Sequence, residues 1–396
     1  ALPDDPFDSG SGGDIYQHIL EGGAYTATVT VLNYSISLNP AYLDGAISRD
    51  MMAGGAGDDN YAVDGDYVRV GNTSPALDDC GTPINSEALA WTTDSVLEYA
   101  GEGYDAVLSS ASFVLPDEVE ELDLIFDPAM AQSDPQRYAD LIAFGQDATG
   151  NALDNVIVGD MLANRLDGGA GADTLIGGAG DDTYVIDAQD TIIESAGGGI
   201  DTVEIAQDYE LLDPSLEGLT LRDGAVSGAG NAADNVLTGN VADNILLGGY
   251  GNDKLIGGLG NDILDGGAGD DRYVFRLGDG ADSIVSGPGN DTLYIGSDLT
   301  VNELQAARIG NDAVLSIAGS GDTIHLSNWF GQVEGVNGIE FCDGASLDRQ
   351  GIEALMNQAP SVSQPLADQT TLEDEAYLFN LPAGTFVDPN AGDTLA

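Results

Sequence analysis

The stretch GGYGNDKLI (248–256), GGLGNDILD (257–265) and GGAGDDRYV (266–274) decides the fold of this chain. Each nonapeptide opens on Gly248, Gly257 or Gly266, carries Asp253, Asp262 or Asp271 at its sixth position, and has Leu255, Leu264 or Tyr273 at its eighth. The frame extends backwards through Gly230 and Gly239, with Asn235 and Asn244 at position six and Leu237 and Leu246 at position eight. A second tract runs from Gly150, Gly159, Gly168 and Gly177, with Asn155, Asn164, Asp173 and Asp182 at position six. A third, two repeats long, begins at Gly45 and Gly54 with Asp50 and Asp59. Beyond Phe275 the frame loosens, but Asp282 and Asp291 still stand nine apart. A fixed nine-residue period with one apolar residue per repeat separates this pattern from low-complexity Gly/Asp-rich disorder.

Elementary chemistry says what such a repeat can do. Glycine adopts φ > 0 without steric cost, which a tight turn demands, and it leaves backbone carbonyls unshielded for a hard cation seeking six to eight oxygens. The x-U-x triplet after each turn alternates as a short strand with one inward residue. In stacked coils, equivalent carboxylates stand about 4.8 Å apart, and at an effective dielectric of 20 each adjacent pair repels by about 3 kcal/mol. A divalent ion between them reverses that sign.

Composition points the same way. Of 396 residues, 68 are Asp or Glu and 10 are Lys or Arg, for a formal charge of −58. Apolar residues make up 42% of the chain, enough for a globular core, yet such a charge excess opposes compaction. Lys254 is the single lysine, so side chains cannot supply the missing positive charge, and metal cations can. A nucleic-acid partner, which needs a basic face, is excluded. No apolar run is long enough to span a bilayer, and residues 1–13 lack the basic-then-apolar order of a signal peptide. Glycine, at about 14% against an average near 7%, follows no three-residue period, so collagen is excluded.

The nonapeptide consensus G-G-x-G-x-D-x-U-x resembles the RTX, or haemolysin-type, calcium-binding repeat. The resemblance implies an all-β fold, a calcium-bound parallel β-roll or β-solenoid in which glycine turns hold calcium ions, x-U-x segments form strands and two repeats complete a coil. It implies metal ligands at Asp253, Asp262 and Asp271, at Asp173 and Asp182, and in the less regular frames at Asp50, Asp59, Asp282 and Asp291, with Gly168, Gly177, Gly248, Gly257 and Gly266 shaping the turns. The four asparagines depart from the consensus and lead into their tracts, binding calcium weakly or through carbonyls alone.

Between the tracts a longer module repeats in order. GDDNYAVD (57–64) and GDDTYVID (180–187) are followed by EYAGEGYDAV (98–107) and ESAGGGIDTV (194–203), then by FVLPDEVEELDL (113–124) and YELLDPSLEGLTL (209–221). Their alternation extends the β-coil with wider turns. The expected divisions are a degenerate β module with a short tract (1–63), a β module carrying an insertion at 71–96 (64–149), a repeat tract (150–187), a β module (188–229) and a second long tract (230–295). A β domain at 296–350 follows, resembling the one found after RTX tracts through GNDAVLSIAGSGDTIHLSNWF. A linker (351–359) and the start of a cadherin-like, immunoglobulin-type sandwich (360–396) close the chain, which looks like a piece of a longer polypeptide.

No catalytic constellation is present. His18 and His325 stand apart, no H-E-x-x-H or G-x-S-x-G occurs, and Asp-Pro bonds at Asp5, Asp127, Asp134, Asp213 and Asp388 read as turn chemistry. Cys80 and Cys342 lie in different modules, a separation that does not favour their pairing. The expectation is a non-enzymatic, calcium-dependent structural segment of a large secreted RTX surface protein of adhesin or surface-layer type, exported by the one-step route of Gram-negative cells. Self-association into a surface assembly would accompany a coat role. The alternative is the carrier region of a secreted RTX enzyme or toxin whose catalytic domain lies outside the chain.

Overall fold

A computed structural model describes residues 14–15, 27–31, 34–38, 51–53, 58–63, 65–71, 79, 87–93, 95–98, 100, 103–296, 299–331, 335–356, 361–362 and 386–387. The chain divides into two compact units. The first comprises residues 1–76, 83–207 and 211–224, and the second 77–82, 208–210 and 225–396.

Both units contain parallel β-roll, as the nonapeptide predicts. In the first unit one row of parallel strands runs through Asp59–Val63, Ala106–Ser109, Glu121–Leu124, Val156–Val158, Thr174–Ile176 and Thr191–Ile193. The other row runs through Gln146–Thr149, Asn164–Asp167, Thr183–Ile186, Thr202–Ile205 and Gly218–Leu221. Register is kept by the eighth-position residues, so that Ile157 pairs with Leu175, and Leu166 pairs with Tyr184, Tyr184 with Val203 and Val203 with Leu219. All of these side chains are buried. In a three-residue strand only the middle residue can face inward, so each nonapeptide contributes one Leu, Ile or Tyr to the stacked row of the interior.

The second unit repeats the construction. Leu246, Leu264, Ile284 and Leu326 stack along one row, and Leu237, Leu255, Tyr273, Leu293 and Ile339 along the other. Here the roll ends in antiparallel strands. Asp312–Ile317 pairs with both Leu304–Ile309 and Thr323–Leu326, and Ser346–Asp348 pairs with Gly335–Phe341. Because the stacked row takes one residue from each repeat, it has little redundancy. Leu255→Ala is expected to lower stability by about 2–5 kcal/mol in saturating calcium, whereas Tyr250→Ala, on a side chain 71% exposed, should be near neutral. Urea unfolding with equal slopes for the two variants checks this.

Several features depart from the sequence reading. The 64–149 module, read as a β module with an insertion, also contains the helices Met130–Ser133 and Pro135–Phe144. The Asp134 side chain accepts the Arg137 N–H at 3.1 Å and Pro135 stands at the first helical position, so Asp-Pro here is a helix start. Leu141 and Met130 then pack on Leu162. Asp127 and Asp213 likewise accept the N–H two residues on, at 2.8 and 2.9 Å, as turn formers do. The helix Arg349–Met356 buries Ile352 and Met356 and occupies much of the segment expected as a linker. The insertion is an antiparallel hairpin, Gly65–Gly71 with Glu87–Thr93. Asp79, in a segment that groups with the second unit, lies 2.5 Å from Lys254 Nζ and 3.6 Å from Arg272 Nε.

Cys342 is disulfide-bonded rather than free. The other cysteine of the sequence, Cys80, lies outside the described residues, but its segment groups with the second unit. The cadherin-like reading of 360–396 falls outside the described residues except for the pairing of Ser361–Val362 with Phe386–Val387.

Candidate metal centre

In the consensus turns the second and fourth residues have positive φ, at +109° and +110° for Gly249 and Gly251, +91° and +132° for Gly258 and Gly260, and +89° and +142° for Gly267 and Gly269. Only glycine enters that region freely. The leading glycine is required for a different reason. A Cβ at Gly168, Gly177, Gly248, Gly257 or Gly266 would collide with the carboxylate Oδ2 of the aspartate five residues on. At Gly248 it would also meet the carbonyl oxygen of Gly266, one coil further. The space over each glycine is thus a cradle of carboxylate and carbonyl oxygens.

The aspartates form ladders. Asp253 Oδ1 accepts the backbone N–H of Asn235 at 2.7 Å, Asp271 Oδ1 that of Asp253 at 2.9 Å, and Asp291 Oδ1 that of Asp271 at 3.0 Å. On the other side Asp262 Oδ1 accepts from Asn244 at 2.7 Å and Asp282 Oδ1 from Asp262 at 3.0 Å. In the first unit Asp173 serves Asn155 and Asp182 serves Asn164, both at 2.7 Å, and Asp201 serves Asp182 at 2.9 Å. Each ladder bond consumes Oδ1 alone. The Oδ2 atoms of Asp173, Asp182, Asp201, Asp253, Asp262, Asp271 and Asp291 are buried with no protein partner.

A buried oxygen left unpaired costs about 1–3 kcal/mol, and more when charged. Burial accordingly pushes the carboxyls of Asp182, Asp253, Asp282 and Asp291 up to about 7 and those of Asp173 and Asp262 to about 6. The backbone N–H bonds oppose that shift, and neighbouring carboxylates add to it. A hard divalent cation removes both penalties, since it supplies the missing partner and separates like charges. The residues present fit calcium on that ground. Asp173, Asp182, Asp253, Asp262, Asp271 and Asp291 would hold it with carbonyls of the adjoining glycine turns.

The asparagine turns are built differently. Asn155, Asn164, Asn235 and Asn244 turn Oδ1 onto the N–H of the second residue of their own turn, at 2.8, 2.7, 2.7 and 2.7 Å. That second residue is Asn or Asp, and its side chain accepts the N–H two positions on. The amides of Asn155, Asn164 and Asn244 donate to carbonyls of the preceding coil. Neutral side chains thereby close the turns of Asn155, Asn235 and Asn244 by hydrogen bonds alone, whereas in the turn of Asn164 the Asp160 carboxylate keeps a buried Oδ2 without a partner.

The structure places Asp59, 3% exposed, at the start of a similar ladder, its N–H bonded to Asp105 Oδ1 at 2.8 Å. Asp50 lies outside the described residues. Asp282 and Asp291, in frames that looked degraded, are full ladder members, because the longer coils around them place them twenty residues after their partners without breaking the stack. Asp105 and Asp201 were missed. The signal for them lay in the aligned modules EYAGEGYDAV and ESAGGGIDTV, where the aspartate keeps its place outside any nonapeptide.

Residues 149–184, 158–192, 238–273 and 274–298 match the family described as the RTX calcium-binding nonapeptide repeat. Residues 312–350 match the haemolysin-type calcium binding protein related domain. The two tracts are thus RTX nonapeptide repeats. No curated protein matches the chain. Among solved structures it is similar to the extracellular lipase LipA from Serratia marcescens, at 15% identity and a TM-score of 0.17, over 58% of this chain and 58% of that one. The matched region therefore spans less than two thirds of that lipase.

Proposed function

We propose that the chain is a non-catalytic, calcium-dependent structural segment of a large secreted RTX surface protein. The observation that carries this reading is the row of buried aspartates whose second oxygen faces a glycine turn without a partner. Nothing in such a row activates a nucleophile or positions a substrate, and everything in it suits cations held in series. With a formal charge of −58, the chain is kept extended where calcium is submicromolar and folds where calcium is millimolar. Calcium then acts as both stabiliser and compartment signal, which suits export of an unfolded chain followed by folding outside the cell. Among the described residues no helix is long and apolar enough to cross a membrane.

Equilibrium dialysis of the full chain tests the reading. Up to about seven calcium ions are expected to be retained at millimolar calcium, at most one for each of the seven ladder aspartates whose Oδ2 has no partner. Equimolar magnesium, which demands near-octahedral geometry, should displace few of them. Retention of no calcium under these conditions overturns the proposal.

A further inference from the structure

We propose that the first long tract ends in a calcium site of a second kind, built on the three carboxylates of Asp182, Glu194 and Asp201 and braced by the Tyr184 hydroxyl. The inference deepens the calcium reading above and rests on it, but Glu194 and Asp201 belong to no nonapeptide. One oxygen from each of the three residues lies within 4.8 Å of the others. That is the reach of a single calcium ion, whose opposed oxygens stand up to about 5 Å apart.

Proximity of acids alone would not make a site. Asp182 and Asp201 are each 1% exposed, and the Oδ2 atom of both has no partner. A Cβ on Gly177 would run into Asp182 Oδ2, Glu194 Oε2 and the Tyr184 hydroxyl together, so these groups converge on one space. Glu194 is aimed there from both ends. Its Oε2 accepts a short hydrogen bond from the Tyr184 hydroxyl, and its Oε1 accepts the Ser195 N–H at 2.6 Å. Tyr184 is buried and its proton is held firmly, because burial and the neighbouring carboxylates push its ionisation up.

The same arrangement recurs with Asp59, Glu98 and Asp105, whose oxygens also cluster within 4.8 Å. There the Tyr61 hydroxyl donates to Glu98 and Asp105 Oδ1 accepts the Asp59 N–H. The second long tract supplies the contrast. Tyr273, two residues after Asp271 as Tyr184 is after Asp182, accepts the Gly266 N–H at 3.0 Å and donates to the Val285 carbonyl at 3.3 Å instead of to a glutamate. The glutamate therefore distinguishes the proposed site from an ordinary end of a tract. Three carboxylates carry more charge than a nonapeptide turn offers, so this site fills first as calcium rises and responds most to trivalent ions.

Terbium titration of the chelator-treated full chain, with tyrosine excitation, tests this, because Tyr184 lies against the bound ion and transfers its excitation to it. The wild-type chain should show a tight phase of sensitised emission. Glu194→Gln should weaken that phase about tenfold, as expected for the loss of one ligand charge. Tyr184→Phe keeps all three carboxylates and should remove the emission from this site while leaving bound terbium near the wild-type amount. Glu204→Gln, which breaks the ion pair with Arg165, should leave the titration unchanged. Circular dichroism in saturating calcium establishes that the variants fold, and Tyr184→Phe carries the test if Glu194→Gln does not. Titrations of Glu194→Gln and Tyr184→Phe that superpose on wild type overturn the second site while leaving the nonapeptide sites standing. A chain that takes up neither terbium nor calcium overturns both readings.

Discussion

Chelating calcium is expected to cost the full chain most of its β-structure and its compactness together. The metal-free fold would bury seven ladder aspartates whose Oδ2 lacks a partner, in a chain of formal charge −58. Folded domains are stable by only about 5–15 kcal/mol. An ion at one hundred times its dissociation constant contributes about 2.7 kcal/mol per site, so a handful of sites exceeds that margin. Far-UV circular dichroism and small-angle scattering in EGTA should show loss of the β signal and a radius of gyration rising towards the roughly 70 Å of an unfolded chain of this length. Returning calcium should restore both, and an equal concentration of magnesium should not. A spectrum indifferent to EGTA would sink the idea that these loops are held by cations.

The second large effect is a reversal of pH dependence between the two states. Without calcium, the ladder carboxyls have folded values near 6 to 7, above the roughly 3.9 of an unfolded aspartate. The metal-free fold therefore binds protons that the unfolded chain releases. Its stability from these groups is complete below about pH 4 and is lost as pH rises through 6 to 7. With calcium the ligands must be ionised, so acid competes with the metal and stability grows over the same interval. In EGTA the β signal should accordingly fall between pH 4.5 and 7.5, and in millimolar calcium it should rise. Parallel curves in the two buffers would mean that the ladder aspartates do not govern folding. The turns of Asn155, Asn235 and Asn244 stand outside this competition, because the side chains that close them are neutral at any pH.

Much of this was legible in the sequence. The nine-residue frame determines which glycines take positive φ, which residue of each triplet faces inward and which aspartates line the turns, because all three depend on chain geometry within a single repeat. Asp253, Asp262 and Asp271 follow from the frame alone. What only the tertiary structure decided lies between repeats. A ladder bond joins residues eighteen to twenty positions apart, so the frame could not say that Oδ1 is consumed and Oδ2 left over, nor that Asp282 and Asp291 stay in line through longer coils. It could not say that Glu194 turns back onto Asp182, or that Asp79 pairs with the single lysine. Local periodicity sets backbone shape, whereas the partner of a side chain is set by which distant segment the stack brings beside it, and that depends on every coil length in between.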